Sequence, residues 1–134
     1  GPSAGTSVTK STTADTYGSY VQMIASTSAA IYITGAVIVF NSAVGAVGPT
    51  YFQFMLGTGA GGAETTVNVF KVPVPRTAAE AALEGFTVTS SVQFYPPIPV
   101  ATATRIAAKV AGDGTVANAP KLTLNVIAQA DLVR

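Results

Sequence analysis

The segment YFQFMLGTGAGGAETTVNVFKV, residues 51–72, decides the fold, because it contains two stretches of alternating residues separated by glycines. In the first stretch, one face of a strand would carry Phe52, Phe54 and Leu56 and the other would carry Tyr51, Gln53 and Met55. Alternation with a period of two is typical of a β-strand that has two different faces. Residues 64–72 alternate in the same way. The segment therefore predicts a β-hairpin whose glycine-rich tip adopts positive φ angles.

The tip of this hairpin, GTGAGG at residues 57–62, also matches the G-x-G-x-x-G pattern of dinucleotide-binding folds. That pattern requires a helix directly after the glycines, so that the helix N-terminus meets the pyrophosphate. A strand pattern follows here instead. Glu84 lies 22 positions after Gly62, near the spacing of a ribose-binding acid, but no parallel strand is predicted to end there. We therefore predict no bound cofactor.

Period-two patterns and turn signals continue on both sides of the hairpin. They predict further strands at residues 20–24, 30–40, 86–95, 102–110 and 121–129. Gly35 predicts a β-bulge or a bend, and the run YPPIP at residues 95–99 predicts an extended or edge segment, because proline donates no backbone hydrogen bond. We expect the last two strands to form a second antiparallel hairpin. Its core-facing row would be Leu122, Leu124, Val126 and Ala128.

One short helix is predicted at residues 76–84, where Thr77 can act as the N-cap and Gly85 can end the helix. Seven or eight strands with one such insert indicate an all-β fold. We predict a two-sheet antiparallel β-sandwich, jelly-roll-like, with one short helical insert. An immunoglobulin-like sandwich is the alternative, although the tryptophan and the cysteine pair of that fold are missing here.

The first 18 residues are small and polar, unlike the rest of the chain. We expect residues 1–18 to be a flexible N-terminal arm, or one anchored to a partner, and residues 19–134 to form a single β-sandwich domain. Gly1 and Pro2 have the form of the stub left by a protease that removes a purification tag.

Composition excludes several classes of function. The chain has no cysteine and no histidine, so it lacks thiolate ligands, the usual general base and the commonest metal ligand. Charged residues make up only 10% and the net charge is +1, so no nucleic-acid partner is expected. The apolar run at residues 29–40 is too short to span a bilayer, and no membrane partner is expected.

The surface should be unusually apolar, since 49% of the residues are hydrophobic and few are charged. We expect copies of the same chain, or another protein, to cover much of it. The alternative is that alanine, threonine and serine dominate the surface and leave no large apolar patch.

The carboxylates are too scattered to indicate an enzyme. Glu80 and Glu84 share one face of the predicted helix, which is typical of a helix face exposed to solvent. The alternative is that they are the two catalytic carboxylates of a glycosidase. Asp113 lies in the turn GDG, where a single carboxylate is a poor calcium site and a turn-forming role is the better interpretation. We predict no catalytic residue, no metal and no enzymatic activity.

Five polar or aromatic residues are the candidates for binding. Tyr51 and Gln53 lie opposite the phenylalanine face of their strand, Tyr95 begins the proline run, and Arg105 and Lys109 share one strand face. Tyrosine rings with neighbouring amides can hold a sugar, and tyrosine is equally enriched at subunit interfaces. The two basic residues could face an anionic surface, pair with a neighbouring subunit or serve solubility.

Two stretches, YFQFMLGTGAGGAE and PPIPVATATRIAAKVAGDGT, resemble a group of small structural proteins of tailed bacteriophages. In that group a strand runs into a GTG-x-x-G-x-E loop, and a later P-I-x-V-x-x-x-T-R-I-A-x-K/R strand ends in a short polar turn. The resemblance covers residues 20–130 and brings no active residue with it. It implies a β-sandwich component of the virion, as a head decoration or as a tail or spike element.

The expected function is therefore that of a non-catalytic viral structural protein, located in the virion. Its partners would be itself, as a homo-oligomer such as a trimer, and a capsid or tail protein. The alternative is a receptor- or carbohydrate-binding β-sandwich module that recognises a host-surface glycan through Tyr51, Gln53 or Tyr95.

Overall fold

The structure is a computed structural model and describes residues 5–41, 51–73, 87–113 and 119–132. These residues contain eight β-strands and one short helix. The strands are β1 Thr6–Ser7, β2 Val21–Ile24, β3 Ile31–Asn41, β4 Tyr51–Thr58, β5 Thr65–Pro73, β6 Thr87–Val100, β7 Ile106–Gly112 and β8 Lys121–Ala128. Helix α1, Gln129–Leu132, follows β8. None of the helices in these residues is long and apolar enough to cross a membrane. The expected helix at residues 76–84 lies outside the described residues.

The strands form two antiparallel four-stranded sheets, which confirms the predicted β-sandwich. Sheet I has the order β1-β8-β3-β6 and sheet II has the order β2-β7-β4-β5. The strands β1·β8, β2·β7, β3·β6 and β4·β5 are paired antiparallel. These are the pairs that would form if the whole chain folded once into a long hairpin with its turn between β4 and β5. Two further pairings, β3·β8 and β4·β7, join the four pairs into two sheets. Consecutive strands consequently change sheet at every step except β4 to β5.

A row of phenylalanine rings crosses the core between the sheets. Phe40 of sheet I meets Phe52 of sheet II edge to face at 5.0 Å between ring centroids. Phe54 stacks on Phe70 at 5.2 Å, and Phe70 reaches Phe94 of sheet I, also at 5.2 Å. Burial of each ring stabilises the fold by about 1.5–3 kcal/mol, and each ring pair adds about 0.5–1.5 kcal/mol. This aromatic row explains why β4 keeps one strictly apolar face.

The β4–β5 hairpin is confirmed, with the faces that the alternation predicted. Phe52, Phe54 and Leu56 are buried, whereas the other face of β4 is only half-buried. Gly59 and Gly62 have φ angles of 116° and 84° at the tip, a region that favours glycine. No helix follows these glycines, since β5 begins at Thr65.

Two other local predictions are also confirmed. The pairing of β3 shifts register between Ile33 and Gly35, as expected for a bulge, and a Cβ at Gly35 would collide with the carbonyl oxygen of Val92. The proline run lies in β6, which is an edge strand of sheet I. An edge position tolerates prolines because their missing donors would face outward.

The predicted hairpin between the last two strands is wrong. β7 belongs to sheet II and β8 to sheet I, so the connection between them crosses the sandwich instead of turning back within one sheet. The predicted inner row of β8 is also only partly right. Leu122 is fully buried, but Leu124 is half-buried and Val126 is 46% exposed.

The expected flexible arm at residues 1–18 is wrong for residues 5–18, which lie on the sandwich. Val8 is completely buried in the main core cluster, and its N–H donates to the carbonyl of Pro120 at 3.0 Å. Further along, the N–H of Gly18 donates to the carbonyl of Val110 at 3.0 Å. This segment therefore begins in sheet I as β1 and continues along β7 of sheet II. The domain boundary expected at residue 19 does not separate two structural units.

Candidate functional site

Four of the five candidate residues come together on the outer face of sheet II. Tyr51 and Gln53 lie on β4, Lys109 lies on β7, and Arg105 directly precedes β7. β4 and β7 are neighbours, with Gln53 opposite Ala111 and Met55 opposite Lys109. Together with two tyrosines of residues 5–20, which we call the N-terminal segment, they form the outer-face cluster: Tyr17, Tyr20, Tyr51, Gln53, Arg105 and Lys109.

Tyr17 and Tyr20 anchor the N-terminal segment on this face. The amide of Gln53 donates to the hydroxyl of Tyr17 at 2.7 Å. The ammonium of Lys109 lies 5.1 Å from the ring centroid of Tyr17 and 4.6 Å from that of Tyr20, within the range of a cation–π interaction. Lys109 and Gln53 are thus occupied by contacts within the chain.

Small residues of sheet II make room for these rings. A Cβ at Gly57 would lie 2.8 Å from the hydroxyl oxygen of Tyr20, so only glycine fits beneath that ring without a shift. Ala107, which pairs with Gly57 across β7 and β4, is fully buried. Since its neighbours Ile106 and Ala108 fill the core on the other side, Ala107 owes its burial to cover on the outer face. The N-terminal segment provides this cover.

Tyr51 holds the segment at a second point, through a hydrogen bond from its hydroxyl to the carboxylate of Asp15. This hydrogen bond is the main reason why the pKa of Tyr51 rises to about 12, because the neutral phenol is the form that donates to a carboxylate. The ammonium of Lys71 lies 4.4 Å from the centre of the Tyr51 ring. Asp15 itself has a φ of 58°, a conformation that aspartate tolerates better than most residues.

Lys10 is a buried charge in the same N-terminal segment, with only 2% of its surface exposed. Its ammonium donates to the carbonyl of Ser11 at 2.5 Å. Burial lowers the pKa of Lys10, and the negative charges of Asp113 and Asp15 oppose this shift. Sequence patterns gave no signal for this residue, since a lysine among serines and threonines is typical of a solvated segment.

Arg105 closes the glycine-rich tip of the β4–β5 hairpin. Its guanidinium forms an ion pair with Glu64 at 3.0 Å and also donates to the carbonyl of Gly59 at 3.2 Å and to the side chain of Gln22 at 3.0 Å. The carboxylate of Glu64 additionally accepts the N–H of Gly62 at 3.0 Å. Hydrogen bonds from its own backbone amide and from Arg105 hold the pKa of Glu64 below its usual value, although burial opposes them.

The glycine loop is therefore organised by an internal salt bridge, and its amide at Gly62 points to a side chain of the same chain. Beside it, Ser19, Tyr20 and Lys109 help to line an open depression of about 390 Å³. A salt bridge from Arg105 to a neighbouring subunit was one of the sequence-based interpretations. In the structure Arg105 forms its salt bridge with Glu64 of the same chain.

Tyr95 does not belong to the outer-face cluster. It lies on β6 in sheet I, is 83% exposed, and donates from its hydroxyl to the side chain of Gln93 at 2.5 Å. It borders a groove of about 500 Å³ where the edge strands β5 and β6 meet, together with Asn68 and Pro97. Every residue that lines this groove is uncharged. The groove has the size of a small-ligand site but is open to solvent.

Chemical groups for catalysis are sparse in the described residues. Among them there is no group of three or more histidine, cysteine, aspartate or glutamate residues that could hold a metal ion. Glu80 and Glu84, the pair considered for glycoside hydrolysis, lie outside the described residues. Within those residues the outer-face cluster fastens one segment to the sheet, and the Tyr95 groove offers an uncharged surface.

No family model, no curated protein and no solved structure matches this chain.

Proposed function

We propose that the protein is a non-catalytic structural component of a bacteriophage particle, acting through contacts with copies of itself and with a capsid or tail protein. The observation that carries this proposal is the strand pairing β1·β8, β2·β7, β3·β6 and β4·β5, wrapped into two sheets. We interpret this pairing as a jelly roll, an architecture that viral capsid domains and lectins share.

A fold alone does not define a function, so the proposal also rests on the surface and on the sequence resemblance. Large apolar side chains remain exposed at the strands, with Val67 at 36%, Val69 at 45% and Val126 at 46%. Most of the polar candidate residues, in contrast, are occupied in holding the N-terminal segment. Such a surface favours association with protein over binding of a charged small molecule.

Mass spectrometry of tailed-phage particles, purified on a density gradient from the host that carries the gene, tests this proposal. We expect peptides of this chain to follow the particle fraction and to resist removal by high salt, because contacts through the exposed valines would be apolar and salt does not screen them. Peptides that stay in the soluble lysate and never enter the particle fraction would overturn the proposal.

A carbohydrate-binding role is the second candidate, and the exposure of Tyr95 is the observation that favours it. An exposed ring whose hydroxyl is fixed by Gln93, next to the amide of Asn68, provides a flat apolar face and polar groups for a neutral sugar. An array of neutral oligosaccharides tests this role, with Tyr95→Ala as the variant. Tyr51→Ala is the control, because the hydroxyl of Tyr51 is already bound by Asp15. Binding that survives Tyr95→Ala would contradict this assignment.

A further inference from the structure

The open depression on the outer face of sheet II has a lining rich in hydrogen-bond donors. Its volume is about 390 Å³, and glycines of two loops line it together with Ser19, Tyr20, Glu64, Arg105 and Lys109. Arg105 and Glu64 form an ion pair, so their charges cancel. The charge that is left in this lining is the positive charge of Lys109.

Lys109 is held in place without an acceptor for its hydrogen bonds. Its ammonium lies 4.6 Å from the ring centroid of Tyr20 and 5.1 Å from that of Tyr17. Among the described residues, no oxygen accepts a hydrogen bond from this ammonium and no carboxylate forms an ion pair with it. The side chain is half-buried, so water replaces the missing acceptor only in part. The two rings thus fix a cation that can still bind an anion, at little cost in side-chain entropy.

Other groups of the depression are also donors. The hydroxyls of Ser19 and Tyr20 form no hydrogen bond with another described residue, and neither does the N–H of Gly61. The carboxylate of Glu64, in contrast, already accepts hydrogen bonds from Arg105 and from the N–H of Gly62. A lining whose donors lack acceptors favours an anionic ligand.

Apolar side chains lie next to Lys109 on the same face of the sheet. Met55 of β4 pairs with Lys109 of β7 and with Val69 of β5, so the three form one row across the sheet. The thioether of Met55 accepts a hydrogen bond from the hydroxyl of Thr66 at 3.3 Å. Val69 is 45% exposed and Met55 is half-buried. A ligand on this face therefore meets a positive charge and an apolar surface side by side.

The depression lies at the end of sheet II where the β4–β5 hairpin turns. Residues 42–50, 74–86 and 114–118 join β4, β5 and β7 at the opposite end of this sheet, where Tyr51 pairs with Pro73. The residues before β1 adjoin sheet I. The site thus lies apart from the points at which these stretches join the strands.

We propose that this depression binds the carboxylate of an acidic side chain of the capsid or tail protein, and that an adjacent apolar side chain of the same segment packs on Met55 and Val69. This inference rests on the proposed assembly function and names the chemistry of the partner surface. The single positive charge of Lys109 matches a single carboxylate. A phosphate dianion fits less well, since Glu64 would repel its second charge. Arg105, the residue type suited to a phosphate, is held by Glu64 and Gly59.

Two capped peptides test the proposal with the full chain: acetyl-Leu-Asp-Leu-amide and its neutral counterpart acetyl-Leu-Asn-Leu-amide. In an NMR titration the aspartate peptide should bind about 5–10-fold more tightly, as expected for a hydrogen-bonded charge pair that is partly exposed. The backbone amides of Gly61 and Gly62 and the methyl group of Met55 should shift on binding. The preference should fall below about 2-fold in about 1 M salt, because screening weakens the charge contact and leaves the apolar one.

Variants of Lys109 separate the charge from the fold. Lys109→Met should reduce the preference for the aspartate peptide to below about 2-fold, whereas Lys109→Arg, which keeps the charge and can keep the contacts with the rings, should retain it. Lys121→Met is the matched control, because it removes a lysine from β8 in the other sheet and should leave both affinities unchanged. Val69→Ser should weaken the binding of both peptides about 2–5-fold and leave the preference unchanged. If Lys109→Met fails to fold, Val69→Ser and the salt dependence decide.

The proposal would be overturned by equal binding of the two peptides to the wild type, by a preference that Lys109→Met retains, or by shifts confined to the Tyr95 groove. Inorganic phosphate that binds at least about 10-fold more tightly than acetate would also overturn it, because the site would then be one for phosphate groups. The assembly function survives each of these results if the chain is found in purified particles. Absence from the particles would instead refute the assembly function, even if the depression binds the acidic peptide.

Discussion

Truncation of Val8 to alanine measures how firmly the N-terminal segment belongs to the fold. Val8 is fully buried in the core cluster, although it lies in a stretch of small polar residues. Val8→Ala removes two carbon groups, each of which contributes about 0.8 kcal/mol by burial. The cavity that remains adds about 1 kcal/mol, because the surrounding side chains relax only in part. We therefore expect the free energy of unfolding to fall by about 2–3 kcal/mol.

Urea unfolding at one fixed protein concentration is the assay, because association of copies would otherwise contribute to the apparent stability. Val69→Ala is the matched control: it makes the same chemical change at a side chain that is 45% exposed. Its loss of stability should stay below about 0.5 kcal/mol. Equal midpoints for the two variants would refute the reasoning, and residues 5–18 would then be the flexible arm that the sequence suggested.

Three further predictions concern the core, the outer face of sheet II and its pH dependence. Phe54→Ala should lower the free energy of unfolding by about 3–5 kcal/mol in the same assay, since this ring is fully buried in the aromatic row. Gly57→Ala should cost about 1–3 kcal/mol by overpacking against the tyrosine above it. Gly61→Ala, whose new Cβ meets nothing within 4 Å, should change stability by less than about 0.5 kcal/mol. In an ultraviolet titration one tyrosine should ionise at about pH 12, and this ionisation step should be missing in Tyr51→Phe. Asp15→Asn should bring the pKa of Tyr51 back toward 10.0. A raised pKa means that the Tyr51 hydrogen bond stabilises the fold fully below about pH 10 and loses this effect as the pH rises to about 12.

The local features of this fold could be predicted from the sequence, because each depends on neighbouring residues. The alternation in β4 determines which side chains are buried, and the glycines after it determine where the chain turns. Gly35 marks the bulge in β3 for the same kind of reason, since a side chain would meet the backbone of the adjacent strand. These signals identify the strands and their faces. They do not identify the sheet to which a strand belongs.

Long-range partners could not be predicted, since no pattern in one segment records its contacts with another. The bond from Tyr51 to Asp15 spans 36 positions and the ion pair of Arg105 with Glu64 spans 41. Tyr51 and Arg105 were selected as binding candidates because their residue types suit a ligand, and the side chains of both are bound by other residues of the same chain. The polarity of residues 1–18 was misleading in the same way, since Val8 and Lys10 are buried side chains among small polar residues.

The number of copies of this chain in each purified particle tests the central claim most directly. Mass spectrometry with isotope-labelled standard peptides of this chain and of a major capsid protein gives this number, as the molar ratio of the two proteins. A structural component should be present at a constant whole-number multiple of a symmetry of the head or tail, in every preparation. A copy number that varies between preparations, or that falls below one per particle, would show a contaminant and contradict the structural role.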